Sequence, residues 1–244
     1  MNKLKLWLVV VFCFIFSKVT EAQGEAAVYV DNGKNNASEG FYLKSAATYA
    51  YDHGKMSLHG GLLFDLVSPG SHIFSGARVK LSRKFMVKGF SFESHALYLY
   101  NRFSDLVHEK NWGILLSIDR THFTCKLGTG FKTYHITGLA GELYNIDSDR
   151  DLHEKWNMMY FLGYKLKPKG HEWNTGLAIT NTDHFLINQE TNPMLCLSGT
   201  YNFTPPLHAF VEVWHKSSGT LNISVNHFGF FIRTGIIWKP NLEN

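Results

Sequence analysis

Cysteine, proline and charge are all scarce in this chain of 244 residues, which has 3 Cys, 6 Pro and only 18% Asp, Glu, Lys and Arg. So few cysteines exclude a disulfide scaffold. A formal charge of +4 is too small for the basic footprint that nucleic acid demands, and no nucleic-acid partner is expected. Long hydrophobic runs are missing as well. Beyond residue 22 the longest, such as Phe228 to Ile232, stop within about five residues, whereas a membrane helix needs about 20. No P-loop, no dinucleotide glycine pattern and no His-Glu-x-x-His spacing occurs, so neither cofactor nor metal is expected.

Aromatic rings, by contrast, are plentiful. They make up 15% of the chain, with 19 Phe, 11 Tyr and 6 Trp, yet the mean hydropathy is only −0.13. That combination requires the rings to alternate with polar residues.

The first 22 residues form a three-part leader. Lys3 and Lys5 precede an apolar run from Leu6 to Phe16, and a short polar stretch ends at Thr20-Glu21-Ala22. This is the layout of a secretory signal peptide cleaved after Ala22, leaving 23–244 as one domain. An uncleaved anchor helix would need a longer apolar run. Cys13 lacks the small residues that precede a lipidated cysteine, so lipid anchoring is not expected. Removal of the leader takes three lysines and one glutamate with it, leaving half of the +4.

After Gln23 the period is two. Phe123, Cys125, Leu127, Thr129, Phe131 and Thr133 share one face, while Thr124, Lys126, Gly128, Gly130, Lys132 and Tyr134 share the other. Lys155 to Lys167 and His227 to Trp238 repeat the pattern. The two remaining cysteines, Cys125 and Cys196, fall on opposite faces. The alternation predicts strands over 25–31, 40–51, 55–66, 71–82, 85–102, 111–119, 123–134, 155–167, 171–180, 191–203, 207–216 and 227–238, far above the usual strand content of 20–25%. Short turns are expected at Asp52 to Gly54, Ser82 to Phe85, Arg120 to His122, Pro168 to Gly170 and Thr204 to Pro206. Longer polar links alternate with them, at Asn32 to Glu39, Phe103 to Lys110, His135 to Glu154, Asn181 to Glu190 and Ser217 to Asn226.

Short turns at one end and long links at the other are the plan of an all-β transmembrane antiparallel up-and-down barrel of about 12 strands, with periplasmic turns and extracellular loops. Aromatics near strand ends, among them Tyr98, Trp112, Trp156, Trp173, Phe203 and Trp238, suit an interfacial girdle. A soluble β-sandwich would have to bury nearly every ring and expose the mid-strand glycines. The expected location is therefore the bacterial outer membrane, with outer-membrane lipid and lipopolysaccharide around a monomer. On these features the chain resembles the bacterial outer-membrane β-barrels. Asn188-Gln189-Glu190-Thr191-Asn192-Pro193-Met194 and His227-Phe228-Gly229-Phe230-Phe231-Ile232-Arg233-Thr234-Gly235 are similar to stretches of uncharacterised barrels of Bacteroidota, a resemblance that implies no activity. Such barrels commonly end on an aromatic, whereas this chain continues past Trp238 to Asn244.

With the apolar parity toward lipid, the lumen is expected to receive Lys44, His59, Asp65, Arg78, Lys80, Glu93, His95, Lys126, Lys132, Lys165, Glu172, His208, Glu212 and Arg233. Buried charges need partners, so the expectation is a lumen filled by ion pairs and hydrogen bonds. The competing reading is a narrow pore with a slight preference for anions. A second function class comes from His215-Lys216-Ser217-Ser218. His215 as base and Ser217 as nucleophile share the lipid-facing parity and resemble the His-x-Ser-Asn pattern of outer-membrane phospholipase A and the lipid A deacylases, with Ser218 in place of Asn. A third class is an adaptor that contacts an envelope protein through the His135 to Glu154 loop. Within that loop Asp147-Ser148-Asp149-Arg150-Asp151 opens like a calcium loop but has Leu152 where glycine belongs, so it is read as solvated charge.

Overall fold

The computed structural model describes residues 23–35, 41–67, 73–87, 90–102, 107–136, 151–166, 172–188, 193–216 and 228–240. The expected leader, the Asp147 to Arg150 stretch and Ser217 lie outside these residues.

Twelve antiparallel strands close on themselves: β1 (Gln23–Asn35), β2 (Phe41–His53), β3 (Met56–Asp65), β4 (Phe74–Val87), β5 (Phe90–Arg102), β6 (Val107–Asp119), β7 (Phe123–Ile136), β8 (Asp151–Leu166), β9 (Trp173–Thr180), β10 (Met194–Thr204), β11 (Leu207–Lys216) and β12 (Phe228–Trp238). Each pairs with its sequence neighbours, and β1 pairs with β12 from Ala26↔Trp238 to Asn35↔Phe228. Closure leaves no free sheet edge. In hydrocarbon that matters, because an unpaired backbone amide there has no water to turn to. Among the described residues no helix is long and apolar enough to cross a membrane.

Period-two patterning decides the faces. Along β6, Glu109, Asn111, Gly113, Leu115 and Ser117 are buried while Lys110, Trp112, Ile114 and Leu116 are exposed. Trp112 and Ile114 show 58% and 66% of their surfaces. Leu195, Leu197, Tyr201 and Phe203 form a similar outward row on β10. The greasy rows therefore point out of the cylinder and do not pack against one another at its centre.

The expected turns at Arg120 to His122 and Thr204 to Pro206 join consecutive strands, and the one at Pro168 to Gly170 lies outside the described residues. Three expected links are shortened by strand, with 32–35 in β1, 107–110 in β6, and 135–136 and 151–154 in β7 and β8. The turn expected at Ser82 to Phe85 is strand: β4 continues to Val87, and its hairpin closes at Val87↔Phe90. Arg83 and Lys84 resemble turn residues in composition, but Ser82 faces inward and hydrogen-bonds the His95 ring at 2.8 Å, which fixes the register through this stretch. At the β2–β3 hairpin Gly54 takes φ +59°, a left-handed conformation that glycine adopts without cost. Gly113 serves close approach, because a Cβ there would lie 2.7 Å from Sδ of the fully buried Met159.

The second departure is larger. The link after β9, expected to be an outward polar loop, runs into the lumen. Its described residues, 181–188, are buried or half-buried, with Phe185, Leu186, Ile187 and Asn188 at most 3% exposed.

Candidate functional site

The inward course starts at Asn181, immediately after β9. Its side chain takes over the hydrogen bonds that a further strand residue would make to β8: Nδ2 donates to the Met158 carbonyl at 2.7 Å, and Oδ1 accepts from the Tyr160 amide at 2.9 Å. The Asn amide mimics a peptide group, so β8 stays satisfied while the backbone turns away. The segment then folds back on itself. The Asp183 amide donates to the Leu186 carbonyl at 2.8 Å, the Asn188 amide to the Asn181 carbonyl at 2.6 Å, and Thr182 bridges Ile187.

Three consecutive apolar side chains seat this plug in three separate niches. Phe185 packs with Tyr29, Ala46 and Leu63, Leu186 with Ala178, Met194, Cys196, Trp214 and Phe231, and Ile187 with Leu99, Leu115 and Met159. The barrel wall carries these inward apolar residues among its polar ones, so the lumen is not lined by charge alone. Polar contacts anchor the plug backbone. Asn101 donates to the Phe185 carbonyl at 2.7 Å, Lys132 donates to the Ile187 carbonyl, and Arg78 donates to the His184 carbonyl at 3.5 Å. Lys132 also pairs with the buried Glu109 at 3.6 Å, whose other oxygen accepts from Asn101 and Asn111.

The strongest anchor is Arg233, 1% exposed on β12. Its guanidinium binds Asp31 through two hydrogen bonds of 2.7 and 2.9 Å and the plug's Asp183 through two of 2.8 and 2.9 Å; Glu212 lies at 3.3 Å. The planar fork suits two bidentate carboxylates. Tyr29 lies beside the guanidinium, 4.5 Å from ring centre to Cζ, and its hydroxyl reaches the His184 ring at 3.2 Å. Burial by itself pushes the Asp183 carboxyl up, but the Arg233 charge and its hydrogen bonds prevail and hold the carboxyl at about 2.

The expected lumen residues fall as follows. Lys44 donates to Ser75 at 2.8 Å, and His95 bonds Ser82 and Ser117. Glu93 lies 3.7 Å from His95, His59 lies 3.3 Å from the Ser57 hydroxyl, and Asp65 accepts from the Val67 amide at the long-link rim. Lys132, Glu212 and Arg233 belong to the plug anchors. Arg78, Lys80, Lys126 and Lys165 line a chamber on the short-turn side of the plug. His208 bonds Asn202 near the β10–β11 turn. Glu172 departs from the expectation: it is exposed before β9 and accepts from the outward-row Tyr201 hydroxyl at 2.6 Å, because the strand starts only at Trp173 and parity does not hold before it. Asp31, Glu109 and Asp183 are functional residues missing from the sequence-level set. For Asp31 and Glu109 the signal was present, since each continues the inward parity of its strand.

His215 is exposed on the outward row, opposite Leu195 and Phe230, and among the described residues no side chain hydrogen-bonds it. Among the described residues no group of His, Cys, Asp and Glu is placed to hold a metal ion.

No protein-family model matches the chain, and neither does any curated protein sequence. The resemblance to barrels of Bacteroidota thus rests on the two quoted stretches. In fold, the chain is similar to the NanC porin, with a TM-score of 0.50 and 10% identity over 87% of this chain and 98% of that one. It is also similar to the outer-membrane protein Omp33 of Acinetobacter baumannii (TM-score 0.46, 9% identity, covering 91% and 99%) and to outer membrane phospholipase A from Escherichia coli (0.48, 11%, covering 92% and 97%). At 10% identity the likeness to the NanC porin speaks for architecture alone, a closed antiparallel barrel of the outer-membrane kind.

Proposed function

We propose that the protein resides in a bacterial outer membrane as a narrow passive conduit held shut by its own β9–β10 link. The observation that carries this reading is the inward plug, seated by Phe185, Leu186 and Ile187 and clamped by Arg233 to Asp183. Eight strands leave an interior that side chains can fill, and sixteen leave a water channel. Twelve leave a width that the plug occupies at one end only. The outward rows of Leu, Ile and aromatic residues suit acyl chains, and on this reading the short turns face the periplasm while lipid and lipopolysaccharide surround a monomer.

Planar-bilayer recording is the test. The wild-type barrel is expected to show rare or no steady steps, and replacement of 182–187 by a short glycine linker is expected to produce steady ones. Wild-type steps as large and as frequent as those of the linker variant would overturn the proposal. The esterase alternative keeps its own assay, ester hydrolysis by solubilised protein that disappears in Ser217→Ala. The exposed and unoriented imidazole of His215 offers it no support.

A further inference from the structure

Below the plug lies a cavity of about 500 Å³ whose lining reaches Glu25, Lys165 and Ile237 at the short-turn rim. Its charges are unevenly matched. The three acids that line it are each held by a cation. Glu25 pairs with Lys239 at 2.8 Å, and Asp183 and Glu212 pair with Arg233. The lining cations Arg78, Lys80, Lys126 and Lys165 have no ion pair within 4 Å among the described residues. The Arg78 Nε is buried without an acceptor. A buried guanidinium nitrogen with nothing to donate to is costly unless something else fills the place.

Cation and apolar wall meet on neighbouring strands. Lys80 stands beside Leu97 in the β4–β5 ladder and Lys126 beside Phe161 in the β7–β8 ladder, with the Lys126 ammonium 5.1 Å from the Phe161 ring centre. The cavity is of a size that holds small organic ligands, and such sites combine an apolar wall with a few convergent polar groups. We propose that this chamber binds a small organic oxyanion, a phosphate or a carboxylate on an apolar body. Its charged oxygens are received by Arg78, Lys80 and Lys126, and its body lies against Leu97 and Phe161. The site depends on the closed barrel and not on conduction, so binding and conductance fail separately.

Calorimetry on the full barrel in a non-ionic detergent tests this, with phenyl phosphate and benzoate as the two oxyanion probes and benzyl alcohol as the uncharged control. Saturable binding of at least one anion is expected, weakened by added sodium chloride and reduced at least about tenfold in Lys80→Gln/Lys126→Gln, with Lys34→Gln unchanged. Lys34 is exposed on the outward face, so it reports any effect of net charge alone. Where the double variant does not fold, Lys126→Gln alone is measured. Absence of saturation by both anions, equal binding of benzyl alcohol, or equal affinity in a folded lysine variant would each overturn the proposal.

Discussion

The two halves of the lumen solve the same electrostatic problem in opposite ways. On the long-link side, Arg233 meets Asp31, Asp183 and Glu212, and Lys132 meets Glu109 and a plug carbonyl, so charge is matched within the chain. On the short-turn side, Arg78, Lys80, Lys126 and Lys165 face a cavity whose acids are already committed elsewhere. Matched charge in a confined space fixes a structure, because breaking either partner leaves the other desolvated. Unmatched charge beside open volume leaves room for a counter-charge from outside the chain. One end of the lumen is thus built to stay closed and the other to receive.

The largest test of this contrast removes the matching cation. Arg233→Met strands three carboxylates and is expected to cost about 3–5 kcal/mol, read by urea unfolding in detergent through tryptophan fluorescence. A loss below about 1 kcal/mol would show that water already solvates the cluster, and the contrast between the halves would vanish.

Next in size is release of the plug without loss of the barrel. Alanine at Phe185, Leu186 and Ile187 together empties three niches. In a Cys125→Ser background Cys196, now packed against Leu186, should react with a water-soluble maleimide at least about tenfold faster while the barrel stays folded. Unchanged reactivity would mean that the hydrogen bonds alone seat the segment.

Acid should act on the same clamp. The Asp183 carboxyl sits below its ordinary value, so its contribution is complete above the ordinary carboxylate pKa and is lost as pH falls toward about 2. Bilayer steps are accordingly expected to appear in the wild type on acidification from about pH 5 to about pH 2, and to be present already at about pH 5 in Asp183→Asn. Steps that appear on raising the pH would give the sign the wrong way round.

The smallest effect is expected on the unmatched side. Lys80→Gln removes a charge with no partner to abandon, so stability should stay within about 0.5 kcal/mol, measured by the same urea unfolding. A loss comparable to that of Arg233→Met would place Lys80 in a matched network after all.

Most of the barrel was legible beforehand because a strand with one face in lipid and one in the lumen must alternate, and β6, β7, β10 and β12 do so without interruption. The strand ends were less legible. Ser82-Arg83-Lys84 has the composition of a turn, but polar residues are equally at home where a strand leaves the hydrocarbon, and only pairing with β5 distinguishes the two. Asp31 ends the expected strand 25–31 on its inward parity, and Glu109 keeps the inward parity of β6 although it falls in the expected link Phe103 to Lys110. The plug was read as an outward loop because Asn181-Thr182-Asp183-His184 is polar. The apolar Phe185-Leu186-Ile187 that follows was the sign that this link seeks burial.

The sequence by itself determined the twelve strands, their faces and the ends at which short turns fall, because alternation and turn chemistry are local properties of consecutive residues. Only the tertiary structure decided that the β9–β10 link enters the lumen, that Arg233 is spent on Asp31 and Asp183, and that four cations line the cavity without an acid paired to them. Those outcomes depend on which residues from distant strands meet inside a closed cylinder, and Asp31 and Arg233, 202 residues apart, meet only once β1 and β12 have zipped together.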